Sequence, residues 1–375
     1  MGIFLWLVGG LLSAMLGLAL FRAVGAAKYR RYVAWETEQR KELNYYGRPL
    51  AERRAFRREI KKRSRYLLPF LRLESRIQKV GIAAHSFEHQ EIWGPRYSCS
   101  AETFRAAAAY SPTERDIFVV TQMKCGTTWM QQLVYEILHK GEGNLGDNGH
   151  LHLNAVSPWI ESFDGIPLQK APLLGASGKR LIKSHLPTQL CPYGAQARYL
   201  YVTRHPVSCF ASIVDYFELM AGPLSPPLEE LLDWFCSNRL WWLPWPDHVA
   251  GWWDWSQKHP NVLFVHFEEM KKDLAGVVRK TAQFLGEDLF DEQVRKVALK
   301  SSFKYMKENE ERFEMSPPNL FSVNGTYFKS GQADRFKDVS KAARCRILNY
   351  CKENLALSSY PAAQHYPDVA QPDCK

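Results

Sequence analysis

Lys124, Gly126, Thr127 and Thr128 lie in a short loop between a run of β-formers at residues 116–122 and a helical pattern from Trp129 through Leu138. A strand, a small loop and a helix in that order point several backbone N–H groups and the positive end of a helix dipole at one spot, which suits an anion. Lys124 adds a full charge. The ATP-binding form of such a loop reads G-x-x-x-x-G-K-[ST]; here the lysine comes two residues before the glycine and no upstream glycine exists, so a standard NTPase is disfavoured. An ordinary strand-to-helix turn is the bland alternative. Further on, Lys183 and His185 close another apolar run two residues apart, so both side chains leave the same face of a strand. An imidazole there is either a core residue or a group able to take a proton at neutral pH. Arg204 follows a third apolar run, where its planar guanidinium suits a phosphate dianion, with a surface ion pair as the alternative.

These residues need a scaffold, and the chain provides one. From about Gly94 short apolar runs alternate with helical patterns, which predicts a mainly parallel sheet covered on both faces. Strands are expected at 116–122, 180–184, 198–203 and 262–266, and ligands of such sheets bind beyond the carboxyl ends of the strands. No internal repeat is visible. The 375 residues are 46% hydrophobic and 13% aromatic, which excludes a disordered chain.

The hexad Lys124-Cys125-Gly126-Thr127-Thr128-Trp129 resembles the 5′-phosphosulfate loop of cytosolic-type sulfotransferases, usually P-K-S-G-T-T-W, with Met123 and Cys125 in place of proline and serine. Lys183-Ser184-His185-Leu186-Pro187 is similar to the family's K-T-H-L-P motif, and Arg204 and Ser212 match its 3′-phosphate ligands at the expected spacing. Residues 262–273 resemble its strand and Y-E-D-M-K-K-D turn, with Phe267 replacing a tyrosine that contacts the adenine; Ser301 and Phe303 match two further adenine positions. Lys329-Ser330-Gly331 opens a segment that resembles the R-K-G-x-x-G-D-W-K loop over the nucleotide, with Lys329 for arginine, Ser330 for lysine, Asp334 for glycine, Arg335 for aspartate and Phe336 for tryptophan. The resemblance covers residues 85–350. It implies a P-loop-like three-layer α/β domain that uses 3′-phosphoadenylyl sulfate (PAPS) without a metal. It also implies that His185 is the catalytic base, that Lys183 is a positive charge near the transferred group, and that Lys124 and the loop N–H groups stabilise the leaving phosphate.

Several features lie beside that resemblance. Residues 3–21 carry no charge and are long enough to cross a bilayer. Arg22, Lys28, Arg30, Arg31, Arg40 and Lys41 all follow the span, which predicts a cytoplasmic bulk. A cleaved signal peptide competes with the anchor, and a Golgi or ER lumen competes with the cytoplasm. Of the net charge of +10, residues 22–79 hold eighteen Lys/Arg against six Asp/Glu, so the basicity is local. Its basic face over residues 53–65 suits anionic lipid headgroups or a solvated linker, and nucleic acid is disfavoured. The eight cysteines show no zinc spacing, and His150 and His152 lack a third ligand. Residues 234–255 hold seven of the twelve tryptophans, which the resemblance assigns to packing, with lipid contact open for Trp241 and Trp242.

The expected organisation is a transmembrane anchor at 1–27, a basic helical juxtamembrane segment at 28–84 and a sulfotransferase domain at 85–375. The expected reaction moves a sulfuryl group from PAPS to a hydroxyl or amine of a small hydrophobic acceptor. A lumenal sulfotransferase of carbohydrate or protein, to which the sequon at Asn324 is relevant, and a catalytically weak nucleotide-binding scaffold are the alternatives. Oligomeric state is open, because Lys341, Ala342 and Arg346 break the family's dimer motif.

Overall fold

The central sheet pairs four strands in parallel in the order β4-β3-β5-β6, built from β3 (Asp116–Thr121), β4 (Arg180–Ser184), β5 (Arg198–Thr203) and β6 (Val262–His266). A separate antiparallel hairpin, β1 (Ser86–His89) and β2 (Ile92–Pro95), precedes them. The computed structural model describes residues 2–42, 45–78, 81–146, 152–163, 165–314, 328–329 and 335–374. The four expected strands are present within one residue of their predicted ends.

Strand alternation sends successive side chains to opposite faces, and both faces are covered. Phe118 and Val120 of β3, with Tyr199 and Tyr201 of β5, pack under α4 (Ala101–Ala108), α7 (Pro206–Ala221), α8 (Leu228–Phe235), α9 (Trp245–Lys258) and α14 (Lys341–Leu355). Ile117, Val119, Leu200 and Val202 pack on the other side under α5 (Thr127–Leu138), α11 (Leu274–Leu285) and α12 (Asp291–Lys300). The result is three layers. Because the strands are parallel, all four carboxyl ends reach the same edge. The residue or loop after each end is Lys124 for β3, His185 for β4, Arg204 for β5 and Phe267 for β6.

Outside this domain, α1 (Gly2–Glu42) runs unbroken through the apolar segment and beyond residue 27. Its stretch Val8–Trp35 is the one candidate span among the described residues, and its side chains from Val8 to Phe21 are exposed. Two shorter helices, α2 (Leu50–Ser64) and α3 (Leu68–Gln78), follow. The basic face expected over 53–65 divides. Arg54, Arg58, Lys61, Lys62, Arg63 and Arg65 are exposed, whereas Arg53 is buried and Arg57 half-buried. Arg53 is only 2% exposed and donates to the carbonyls of Arg48 and Glu311. Arg54 grips Glu311 at 2.8 and 2.6 Å, and Arg57 pairs with Glu314 at 2.7 Å. Tyr45, Tyr46, Phe56 and Ile60 form a small core with Trp35 and Ala155. Buried Arg53 is therefore turned away from both lipid and water, and all three arginines bond the 311–314 segment.

Candidate active site

The loop after β3 owes its shape to two left-handed residues, Lys124 at φ +64° and Gly126 at φ +111°. Only glycine fits the second: an added Cβ would lie 2.8 Å from Cδ2 of Phe267. α5 starts at Thr127, so the positive end of its dipole meets the loop. Thr127 Oγ1 lies 2.6 Å from Thr121 Oγ1, and Gln122 Nε2 donates to the carbonyls of Trp241 and Leu243 at 2.8 and 3.0 Å. Cys125 and Cys209 place their sulfurs 3.6 Å apart, which ties the loop to α7. Burial pushes the Cys125 thiol well up, so it packs as a neutral group.

Lys124 Nζ sits 4.9 Å over the Tyr216 ring. Burial pushes its ammonium down to about 8; the cations Arg204 and Arg335 act in the same direction, and Asp215 acts against them. Lys124, Arg204 and Arg335 therefore lie close enough to act on one another, which suits an anion at this end of the sheet.

His185 is buried beside Trp159 and Trp242, whose ring centroids lie 5.3 and 4.8 Å from its own. Its Nδ1 is 2.8 Å from the Thr121 carbonyl, which can only accept, so Nδ1–H donates and the lone pair resides on Nε2. Burial, then the Lys183 charge, hold its pKa well below the ordinary histidine value, and the imidazole is neutral at pH 7. The backbone fixes it as well. His185 N donates to Glu161 Oε1 at 2.6 Å, and the carbonyl of His185 accepts from His248 Nε2 at 3.0 Å. Lys183 is buried with Nζ 3.7 Å from the Trp159 ring centroid, and the backbone of 158–160 pairs with it through Lys183 N to Pro158 O (2.8 Å) and Ile160 N to Lys183 O (3.0 Å).

At the next strand, the Arg204 guanidinium lies 4.5 Å over Phe267 and its carbonyl accepts from Trp245 Nε1 at 3.1 Å. Phe267 meets Trp129 edge-on at 5.1 Å, and Trp129 Nε1 donates to the Ser301 carbonyl at 2.6 Å. Gly126, Trp129, Arg204, Phe267 and Ser301 are thus joined in one aromatic and cationic cluster. Phe303 opens α13 (Phe303–Glu308) and faces Phe328 with ring centroids 6.3 Å apart. Ser212 is half-buried on α7, one turn before Asp215. Lys329 is held by Asp215 at 2.5 Å and Glu218 at 3.6 Å. Arg335 pairs with Asp215 and, at 2.6 Å, with Asp338. Ser330, Gly331, the sequon at Asn324 and His150 lie outside the described residues.

Trp241 and Trp242 are 1% and 2% exposed, which removes the lipid contact left open for them. Trp241 instead receives the Gln122 amide, and Trp242 walls His185. Two residues carry no signal in the sequence: Asp215, the carboxylate shared by Lys329 and Arg335, and His248, the clamp on the His185 carbonyl. A carboxylate in mid-helix has many possible partners, and only the fold selects these.

Comparison with known proteins matches residues 114–358 to the family described as Sulfotransferase domain. "Sulfotransferase 1C2" of Rattus norvegicus is 30% identical over 286 residues, which is 70% of this chain and 95% of that protein. "3-alpha-hydroxysteroid sulfotransferase" of Cavia porcellus is 31% identical over 66% of this chain and 85% of its own length. Among solved structures, mouse sulfotransferase SULT7A1 complexed with PAP superposes with a TM-score of 0.58 at 22% identity, over 76% of this chain and 98% of that one, a likeness of fold.

Proposed function

The chain belongs to the sulfotransferase domain family, and from that premise we propose that it moves a sulfuryl group from PAPS to a hydroxyl of a small hydrophobic acceptor. The observation that carries this reading is the neutral His185, its Nδ1 spent on Thr121, placed at the same sheet edge as the Lys124 loop. Mouse SULT7A1 was solved with PAP, and the residues here suit such a ligand. The loop N–H groups and Lys124 would hold the 5′-phosphate, Arg204 and Ser212 the 3′-phosphate, and Trp129, Phe267, Ser301 and Phe303 the adenine, with Lys329, Ser330 and Gly331 at the far end. Bound PAPS supplies a sulfur with a phosphate leaving group.

The protein's own residues supply the rest. His185 Nε2 takes the acceptor proton, which its depressed pKa permits at neutral pH. The Lys124 ammonium and the loop amides face negative charge as it grows on the departing oxygen, and fixed donors of this kind are commonly the largest catalytic contribution. Lys183, held over Trp159, brings a charge near the transferred group. The acceptor hydroxyl is proposed by analogy with relatives such as the guinea-pig hydroxysteroid enzyme.

In this reading residues 1–27 anchor the protein in a membrane, 28–84 form the juxtamembrane segment and 85–375 the catalytic domain, on the cytoplasmic side because the basic residues follow the span. The test is His185→Ala with labelled PAPS and a panel of phenols and alcohols. Transfer should fall by about 10²-fold or more while PAP still binds; full activity in the variant would exclude His185 as the base.

A further inference from the structure

α1 does not hang from the catalytic domain by a loose tether. Arg22, the first residue past the apolar run, donates to Glu74 of α3 at 2.5 and 3.0 Å. Three residues on, Gly25 lies so close to Phe70 that an added Cβ would be 2.2 Å from its ring. The next layer is α3 itself, which packs on the Gly222–Leu224 turn that closes α7. Back along α7, Tyr216 carries Lys124 over its ring at 4.9 Å and shares a 2.8 Å hydrogen bond with Tyr97. Tyr216 precedes the helix end at Ala221 by five residues, about 8 Å of helix. One helix layer, roughly 10 Å, then separates α7's end from the first turn of α1 beyond the span. His185 itself is walled by aromatic rings, Trp159 and Trp242, whose centroids lie 5.3 and 4.8 Å from its own.

We infer that the acceptor is an amphiphile dissolved in the bilayer, an apolar body with one hydroxyl at headgroup level, and that it reaches His185 from the membrane side. This rests on the sulfuryl-transfer and anchor readings above. A rigid strap sets the height and tilt of the site over the membrane, where partitioning raises the local concentration of such a molecule. The flat Trp159 and Trp242 walls suit its apolar body, and the imidazole meets its hydroxyl.

The experiment uses full-length protein in phosphatidylcholine vesicles with two acceptors that share one reacting group, the water-soluble 4-ethylphenol and the bilayer-partitioned 4-dodecylphenol. Gly25→Leu drives α1 off α3, and Arg22→Ala releases the same contact without added bulk should the first variant fold poorly. Both should lower kcat/KM for 4-dodecylphenol about tenfold and leave 4-ethylphenol within about twofold, with PAP binding unchanged. A parallel loss on both phenols, or no loss on either, overturns the inference. So does a wild-type enzyme that turns over 4-ethylphenol as efficiently at equal bulk concentration. Wild-type protein that binds PAP but sulfates no hydroxyl at all overturns the proposed activity, and this inference falls with it.

Discussion

Raising the pH past 8 should weaken capture of PAPS through one group, Lys124. Burial moves its ammonium from the usual 10.5 down to about 8; Arg204 and Arg335 add to the shift, and Asp215 and Cys209 oppose it. At about 1.4 kcal/mol for each tenfold change, the empty site holds that charge at a cost on the order of 3 kcal/mol, which a bound polyanion relieves. A lysine with a lowered pKa is charged below that value and neutral above it. The fraction of free enzyme ready for PAPS therefore drops about tenfold per pH unit above 8, and kcat/KM for PAPS, which reports the free enzyme, follows it. The kcat at saturating PAPS should hold to higher pH, since phosphate beside the amine favours the charged form. Initial rates of labelled transfer from pH 6 to 10, at limiting and saturating PAPS, separate the two profiles. Lys124→Arg, run in parallel, should be slower at every pH yet lack the alkaline limb, because a guanidinium stays charged. A wild-type kcat/KM that is flat to pH 9.5, or the same limb in the arginine variant, would refute the reasoning.

Gly126→Ala should raise the Kd for PAP by about 5- to 150-fold in titration calorimetry, since an alanine at φ +111° with its Cβ 2.8 Å from Phe267 costs about 1–3 kcal/mol; unchanged affinity would count against the loop as the phosphate seat. Asp215→Asn removes the carboxylate that opposes the cations around Lys124, so the alkaline limb of kcat/KM should move below 8. The same change leaves buried Arg335 with Asp338 as its remaining carboxylate and should destabilise the fold by roughly 2–3 kcal/mol in denaturant titration. Arg53→Ala strips two backbone carbonyls of a charged donor, and a loss of about 3 kcal/mol is expected; a melting temperature equal to wild type would show that α2 is not bound to the 311–314 segment in solution.

The strands were legible because each is a short β-former run bounded by turn residues, and a parallel sheet buried on both faces leaves little else that such runs can do. Their carboxyl ends then placed Lys124, His185, Arg204 and Phe267 on one edge without further information. What the sequence concealed is sideways contact. The composition of α2 reads the same whether its arginines face lipid, water or protein, and the choice depends on Glu311 and Glu314, about 260 residues away in the chain. Trp242 likewise is one of seven tryptophans close together in sequence, and only the path of the chain at 240–243 turns it onto His185.

The substitutions in the closing segment make sense once Asp215 is included. Where the resembled pattern has an arginine, Lys329 is present and is engaged by Asp215 and Glu218 of α7. Where it has an aspartate, Arg335 is present and is engaged by the same Asp215. One carboxylate on α7 thus serves both cations of that segment, Lys329 and Arg335. On the proposed placement of the 3′-phosphate beside Ser212, one turn away, that phosphate would meet cations that already have a counter-ion and would have to displace Asp215 to gain them. The same carboxylate keeps Lys124 from losing its proton at still lower pH. Its two effects on the donor therefore oppose each other, a weaker grip at the far phosphate and a more reliable charge at the near one.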